Sequence, residues 1–278
     1  MRLGNLELHL LSDGQFRLDG GMVFGIVPKV LWEKVLPADE LNRVPMALHC
    51  LLVVSEGKRI LIETGYGDKL SPKQSEQFAL WRPEGGLLDG LQRLGYTAED
   101  IDIVINTHLH PDHCGGNTRL CDGVAVPTFP RAQYWIQRQE WADASFPNER
   151  TQPSYPPENW GPLQQAGQLS LISGDTRVTG EVRCMTTRGH TRAHQSVLIE
   201  SAGQAAVFLG DLASKTIQLE RLNWTTAFDT EPLETVEIKR AIRDWAWEKH
   251  ALLIFGHDVR MPLGYLSKEG ERFLVNAA

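Results

Sequence analysis

The hexapeptide HLHPDH, residues 108–113, places three histidines and one aspartate within six positions of a chain that has nine histidines in all. Neutral imidazoles and carboxylates together suit borderline divalent metal ions, above all zinc. The preceding run IDIVINT is typical of a buried strand, and the glycines at 115 and 116 allow a sharp turn. The sequence therefore predicts a metal-binding segment between a strand and a helix.

Three later segments end in a side chain of the same chemical type. TTRGHTRAH, VFLGD and LIFGHD place His190, Asp211 and His257 directly after a glycine, where the apolar pattern predicts that a strand ends. Each residue alone is as easily a hydrogen-bonded histidine or a helix-capping aspartate. Three of them in one arrangement, together with the hexapeptide, indicate a single site, because sites in layered α/β proteins are commonly built at strand ends.

The rest of the chain predicts an α/β protein. Strand-length apolar runs recur at LHCLLVVSEG, RILIETG, IDIVINTH, VRCMTTRGH, AAVFLGD and ALLIFGHD, and amphipathic helices are predicted over residues 84–95 and 233–250. The proline-rich stretch 145–167 is predicted to be a long loop, either functional or mobile. Residues 20–32 are apolar and suit a core, a pocket wall or an interface. No shift in composition marks a linker, so we expect one domain over residues 1–278.

Composition excludes several classes of protein. The formal net charge of -7 disfavours a general nucleic-acid binder. The apolar runs are too short to span a membrane, and the segment MRLGNLELHLLSDG lacks the pattern of a signal peptide. The four cysteines form no C-x-x-C pair, so we expect reduced thiols in a cytoplasmic protein. We expect its partner to be a small-molecule substrate.

The order of these motifs resembles a known family. H-x-H-x-D-H, followed by G-H-T, G-D and a late G-H, resembles the metallo-β-lactamase superfamily over nearly the whole chain, and LIETGYGDK is similar to its first motif. The resemblance implies a four-layered αββα sandwich with the metal site at one edge, between two sheets. DGGMVFGIVPKVLW together with HLHPDHCGGN is similar to the quorum-quenching N-acyl-homoserine lactonases and to the methyl-parathion-hydrolase-like esterases.

The resemblance also implies a ligand set for two divalent ions, with zinc expected and manganese, cobalt or iron left open. One ion would be held by His108, His110 and His190, the other by Asp112, His113 and His257, and Asp211 would bridge them. A hydroxide shared by the ions would open a lactone of the N-acyl-homoserine type or cleave a related ester. Asp112 is the candidate catalytic residue, because a carboxylate beside that hydroxide can relay its proton.

Other residues are candidates for supporting roles. Glu63 stands where the first motif normally has Asp, a residue that orients a ligand, and His194 is expected beside the ligands or in a structural role. Ser214 stands where well-studied homoserine lactonases have a tyrosine, three residues after the bridging aspartate. Candidates for the substrate pocket are Phe24, Trp160, Ser214, Trp224 and Phe228.

Several alternatives stay open. A phosphotriesterase or arylesterase would use the same centre. A β-lactamase is disfavoured because no export signal is seen, and an iron-dependent oxidoreductase is disfavoured because such members typically replace the second histidine by Glu, whereas His110 is retained. A non-catalytic binding module would be indicated by lost ligands, and none is lost. The sequence does not decide the physiological substrate, the native metal or whether the chain forms a homodimer.

Overall fold

The computed structural model describes residues 1–278. The strands are β1 Arg2–Leu3, β2 Leu6–Asp19, β3 Arg43–Ser55, β4 Lys58–Ile62, β5 Ile103–Ile105, β6 Thr118–Cys121, β7 Val124–Pro127, β8 Gln133–Gln137, β9 Leu169–Ile172, β10 Thr176–Arg177, β11 Val182–Thr186, β12 Gln195–Ser201, β13 Gln204–Phe208, β14 Leu252–Ile254, β15 Leu263–Glu269 and β16 Arg272–Ala277. The α-helices are α1 Gly20–Phe24, α2 Lys29–Trp32, α3 Pro72–Gln77, α4 Leu87–Arg93, α5 Pro111–Cys114, α6 Arg138–Ser145, α7 Gly161–Gln165, α8 Thr216–Glu220 and α9 Pro232–Glu248. Short 3-10 helices lie at Ala98–Asp100, Gly115–Asn117, Gln152–Ser154, Pro157–Asn159 and Gly210–Leu212.

Two seven-stranded sheets form the centre of the molecule. The first has the order β1-β2-β3-β4-β5-β8-β9 and the second the order β10-β11-β12-β13-β14-β15-β16, while β6 and β7 form a separate ribbon. Pairing is parallel from β4 through β5 and β8 to β9, and between β13 and β14. Parallel neighbours need crossover connections, and helices α4 and α9 lie in two of these.

The buried apolar residues show the order of the layers. One cluster joins strands of the two sheets, for example Leu51 and Ile62 with Val197 and Phe208. A second cluster packs the outer face of the first sheet against α4, α6 and α7, and a third packs the outer face of the second sheet against α9. This arrangement is the αββα sandwich that the resemblance implied.

The predicted elements form, with small differences at their ends. All six predicted strands are present. The helix predicted over 84–95 is shorter, Leu87–Arg93, because the Asp89 carboxylate accepts a hydrogen bond from the Gly86 amide and Gly95 adopts a φ of 82°. The helix predicted over 233–250 is observed as Pro232–Glu248, with proline in its first turn and Ile242 and Ala246 on its buried face.

The two segments without a clear prediction are partly helical. In residues 145–167, 3-10 helices precede α7. Tyr155 and Trp160 are buried in the cluster that packs the outer face of the first sheet against its helices. Residues 20–32 form α1 and α2, in which the rings of Phe24 and Trp32 stack at 5.2 Å in a small core of their own. Ile26 in the connecting turn is 91% exposed, so this segment contributes to both core and surface.

None of the helices combines the length and the apolar character needed to cross a bilayer. The four cysteines are all unpaired; Cys50, Cys114 and Cys184 are buried and Cys121 is exposed. Buried thiols of this kind behave as small apolar side chains.

Candidate metal centre

The seven residues of the predicted ligand set converge at one edge of the sandwich. His108 and His110 follow β5, and Asp112 and His113 lie on the single turn of α5. The other three follow the ends of β11, β13 and β14 and are His190, Asp211 and His257. Side chains that are up to 149 positions apart in sequence therefore meet because their strands end at the same edge.

The ligand atoms form three overlapping groups in which all atoms lie within 4.8 Å of one another; the groups are His108, His110, His190, then His108, His113, Asp211, then Asp112, His113, His257. His190 Nε2 lies 3.1 Å from His110 Nδ1, and His257 Nε2 lies 3.0 Å from His113 Nε2. Asp211 stands between the two pairs, with Oδ2 3.2 Å from His190 Nε2 and Oδ1 3.2 Å from His257 Nε2.

This donor set fits divalent metal ions. Two nitrogens bound to one tetrahedral zinc lie about 3.3 Å apart, close to the separations seen here. The buried atoms His108 Nε2 and Asp211 Oδ1 have no hydrogen-bond partner, although buried polar atoms normally have one. The two oxygens of Asp211 face histidines of different groups, which is the geometry a carboxylate needs to contact two cations.

The electrostatics hold His108, His110 and the central aspartate in the forms that bind metal, whereas nearby carboxylates outweigh burial and raise the pKa of His113 and His190. Burial, together with the neighbouring imidazoles, lowers the pKa of His108 and His110 well below its usual value. Burial opposes the charge of Asp211, but His113 and His257 outweigh it and hold the pKa of this carboxyl well below its usual value. Neutral imidazole and ionised carboxylate are the forms that bind metal.

Glu63 and His194 lie directly beside these residues. Glu63 is buried and accepts a hydrogen bond from the Thr107 amide at 2.9 Å, while its Oε1 is 3.7 Å from His113 Nδ1, too far for a hydrogen bond. Its φ of 65° is unusual for a residue with a side chain, and such strain often marks a functional site. His194 Nε2 accepts a hydrogen bond from the Asp211 amide at 3.0 Å. Burial lowers the pKa of His194 to about 3, so the ring stays neutral.

Two buried carboxylates that sequence patterns did not indicate support the same loops. Asp229 Oδ1 lies 2.9 Å from His190 Nδ1 and accepts a hydrogen bond from the Thr226 hydroxyl at 2.6 Å. Glu140, on α6, accepts hydrogen bonds from the Leu109 amide, the Thr191 hydroxyl and the Tyr155 hydroxyl. Neither residue lies in a recognisable motif, and only the packing of α6 and of the 225–230 loop brings them to the site.

The far side of the centre is fixed by backbone contacts. The Lys215 ammonium donates to the carbonyl oxygens of Pro45 and His257, and His257 Nδ1 lies 2.6 Å from the Ala47 carbonyl oxygen. Burial lowers the pKa of Lys215 to about 8. These contacts hold the loop that carries His257 against strand β3.

The glycines that follow the hexapeptide let two loops touch. A side chain on Gly115 would collide with the Tyr66 carbonyl oxygen, and one on Gly116 would collide with the Thr64 carbonyl oxygen. The Thr64 hydroxyl in turn donates to the His113 carbonyl oxygen at 3.1 Å. The predicted turn therefore serves close packing of the loop after β4 against α5.

A cavity of about 280 Å³ opens onto the centre. It is lined by Leu18, Met22, Val23, Met46, Tyr66, Gln77, Phe78, His110, Pro111, Asp112, Pro153, Ser154, Asp211, Ser214, Thr226, Phe228 and His257. Of the predicted pocket residues, Phe228 and Ser214 line it, and the Ser214 hydroxyl donates to Gln218 Oε1 at 2.8 Å. Phe24, Trp160 and Trp224 do not line it, because their large apolar rings are buried in hydrophobic cores.

The residues of the cavity wall that the sequence did not indicate include Tyr66. Its ring packs edge-on against Phe16 at 5.1 Å and stacks on Phe78 at 5.5 Å. Burial, with the carboxylates of Asp112 and Asp211, raises the pKa of the Tyr66 phenol well above its usual value. It lies within the segment LIETGYGDK, whose resemblance to the first motif singled out Glu63 and gave Tyr66 no role.

A larger cavity of about 430 Å³ lies elsewhere, beside Asp13, Arg82 and Gly116. None of the seven ligand-type residues lines it. Asp13 and Arg82 form an ion pair at 2.7 Å there, and Asp13 also accepts hydrogen bonds from the amides of Gly67 and Leu87. The smaller cavity is therefore the one that is placed for chemistry at the metal centre.

Comparison with known proteins agrees with this architecture. The Metallo-beta-lactamase superfamily model matches residues 44–244. A curated N-acyl homoserine lactonase of Bacillus sp. is 28% identical over 275 residues, which are 93% of this chain and 95% of that protein. A probable metal-dependent hydrolase from Staphylococcus aureus superposes with a TM-score of 0.90 at 29% identity, covering 100% of this chain and 99% of that one. AidC, a dizinc quorum-quenching lactonase solved with a product, superposes with a TM-score of 0.81 at 22% identity. The superposition covers 100% of this chain and 96% of AidC, so the two proteins share the fold.

Proposed function

Because this chain belongs to the metallo-beta-lactamase superfamily and is a hydrolase related to N-acyl homoserine lactonases, we propose that its metal centre holds two divalent ions and opens a lactone of the N-acyl-homoserine type. The observation that carries the proposal is the position of Asp211, whose two oxygens each lie 3.2 Å from a histidine of a different group. A site for a single ion would leave one of those oxygens and one of those histidines without a role.

The two proposed sites divide the seven residues. His108, His110 and His190 would hold one ion, Asp112, His113 and His257 would hold the other, and Asp211, which lies between the two groups, would serve both. Imidazole and carboxylate ligands in these numbers suit zinc, and manganese, cobalt and iron accept the same ligands. His194 holds the backbone of Asp211 through a hydrogen bond, and Glu63 holds the Thr107 amide next to His108.

Such ions, when bound, acidify a water molecule and polarise a carbonyl oxygen. In the reaction the water oxygen bonds to the acyl carbon, the bond from that carbon to the ring oxygen breaks, and a proton passes to the ring oxygen. We assign the transfer of this proton to Asp112, which lines the cavity and whose Oδ2 lies 3.5 Å from His257 Nε2. A carboxylate in this position can take the proton from the attacking water and release it to the leaving oxygen.

The cavity supports an acylated substrate. Its wall beyond the ligands includes Leu18, Met46, Phe78 and Phe228, which offer apolar surface to an acyl chain. The same wall also accepts an aryl group. Because the Ser214 hydroxyl is already donated to Gln218, the chain lacks a free hydroxyl where lactonases have a tyrosine, and this difference keeps an arylesterase or phosphotriesterase as the second candidate.

A substrate panel on one preparation tests the proposal. We expect about two equivalents of metal per chain, and we expect kcat/KM to be highest for acyl-homoserine lactones when these are compared with an aryl ester, an aryl phosphotriester and a cephalosporin. A higher kcat/KM for the phosphotriester or the aryl ester would select the second candidate. Full activity in a metal-free preparation would overturn both.

The same preparation tests the role of Asp112. Asp112→Ala should abolish turnover of the lactone while the protein stays folded, because the cavity loses its proton carrier and one ion loses a ligand. Asp244→Ala is the matched control, since Asp244 is exposed on α9. Retained turnover in Asp112→Ala would exclude this residue as the proton carrier.

A further inference from the structure

Ser214 does not provide the hydroxyl that its position suggests. The side chain is 2% exposed, and its hydroxyl donates to Gln218 Oε1 at 2.8 Å, inside the chain rather than toward the cavity. Gln218 is itself held, because its amide donates to the Val23 carbonyl oxygen at 3.0 Å. A substrate oxygen in the cavity therefore needs a hydrogen-bond donor from another element.

Tyr66 supplies a phenol on the cavity wall. No hydrogen bond within the protein involves its hydroxyl, although the residue as a whole is only 5% exposed. The ring is held between Phe16 and Phe78, and Phe16 also contacts the ring of His257, with 5.8 Å between the ring centroids. Tyr66 therefore lines the same cavity as Asp112 and His257, and packing sets the orientation of its ring.

The loop that carries Tyr66 is anchored to the centre itself. Gly65 and Gly67 on either side of it have φ values of 67° and 65°, and a backbone bridge joins Gly65 to Cys114, the residue after His113. A side chain on Gly115 would collide with the Tyr66 carbonyl oxygen. The backbone that carries Tyr66 is thus held against the loop that carries Asp112 and His113.

We propose that Tyr66 is a catalytic residue whose hydroxyl donates a hydrogen bond to the carbonyl oxygen of the substrate. The hydroxyl keeps its proton throughout, and the bond strengthens as negative charge develops on that oxygen. A phenol is protonated at neutral pH, so the donor is present in the resting enzyme. This inference rests on the proposed ester or lactone hydrolysis, and it gives Tyr66 the place that Ser214 leaves empty.

Tyr66→Phe tests the inference, because it removes only the hydroxyl and keeps the ring between Phe16 and Phe78. We expect kcat to fall about 100-fold for a lactone while KM changes by less than about threefold, as for loss of one oxyanion donor. The loss should be equally large for an aryl ester, whose leaving phenolate needs no proton. Metal content and melting temperature should match those of the wild type. Tyr265→Phe is the control, because Tyr265 lies on β15 and stacks on His250, away from the cavity.

Two results would overturn the assignment. An unchanged kcat in Tyr66→Phe would leave the ring as apolar wall only, and a loss confined to the lactone would move the hydroxyl to the leaving oxygen. A wild-type protein that contains metal and hydrolyses neither the lactone nor the aryl ester would instead refute the proposed function, so the two failures are distinguishable.

Discussion

Asp229 shows how a single residue outside the ligand set can decide the properties of the centre. Its Oδ1 lies 2.9 Å from His190 Nδ1, and the Thr226 hydroxyl donates to the same oxygen. The contact leaves His190 Nε2 free to face His110 and Asp211. A partner on the far nitrogen of a metal-binding imidazole fixes the ring and raises its basicity.

Asp229→Ala should therefore weaken metal binding by about 10- to 100-fold, with a parallel loss of activity at limiting metal. Asp229→Asn should reduce metal affinity less, since the amide oxygen of Asn can still accept a hydrogen bond from His190. Metal affinity is measured by competition with a chromophoric chelator, and Asp244→Ala on the exposed face of α9 is the control. Equal affinity in wild type and Asp229→Ala would show that the contact is only structural.

The chemistry required at each position explains which residues of the site could be predicted from the sequence. The seven ligand-type residues follow short motifs, because metal chemistry restricts each position to His or Asp. Glu140 and Asp229 follow no motif, since a carboxylate that accepts hydrogen bonds from another loop can come from any element that packs nearby. Large aromatic residues such as Phe24 and Trp224 suit a pocket and a core equally well, and their burial decided the matter.

Helix α9 contributes at the scale of the element, through a lysine on its buried face. Lys239 is fully buried, and its ammonium donates to the carbonyl oxygens of Gln218 and Trp224. It thereby ties α9 to α8 and to the segment that follows α8. Burial lowers the pKa of Lys239 to about 8, from an ordinary value of 10.5.

This shift predicts a pH dependence of stability. Between pH 8 and 10.5 the unfolded chain keeps a proton on Lys239 that the folded chain has lost, so the free energy of unfolding rises with pH in this window. Relative to Lys239→Met, the wild type should gain about 2 kcal/mol between pH 7 and pH 10, measured by urea denaturation. Lys34→Met, at an exposed position, should show no such trend. A constant difference between wild type and Lys239→Met would mean that the buried ammonium has an ordinary pKa.

Element boundaries were predicted to within a few residues, and their errors have local causes. The helix over 84–95 lost its first turn because residues 85 and 86 are glycines, and Gly85 has a φ of 82°. The segment 145–167 was predicted as a loop because its prolines interrupt any regular period. In the fold, Pro153, Pro157 and Pro162 lie in the first turns of short helices, and the buried side chains of Tyr155 and Trp160 anchor this segment in the core beside the first sheet.

At the scale of the whole molecule, the centre joins two halves of the chain. Strands β1–β5, β8 and β9 of the first sheet come from residues 2–172, and the second sheet comes from residues 176–277. His108, His110, Asp112 and His113 follow a strand of the first sheet, whereas His190, Asp211 and His257 follow strands of the second. Metal bound by the proposed ligand set would therefore crosslink the two sheets at one edge of the sandwich.

Removal of metal with a chelator should therefore lower the melting temperature of the protein. If each ion is bound at about 1,000 times its Kd, its loss removes about 4 kcal/mol, and two ions correspond to a fall of at least about 10 °C. Calorimetry before and after chelation, and again after zinc is restored, measures the effect. An unchanged melting temperature on complete metal removal would show that the two sheets are held without it.

The sequence by itself predicted the strands, because strand-length apolar patterns are local, and the order of its motifs indicated the fold family by resemblance. It also singled out seven His and Asp residues, because metal chemistry allows few residue types, and their role as ligands stays a prediction. The assignment of one domain to residues 1–278 stays a prediction. Only the tertiary structure decided which side chains stand behind the ligands, which aromatic rings line the cavity, and that Tyr66 rather than Ser214 presents a free hydroxyl. These features depend on contacts between residues distant in sequence, and such contacts leave no periodic trace along the chain.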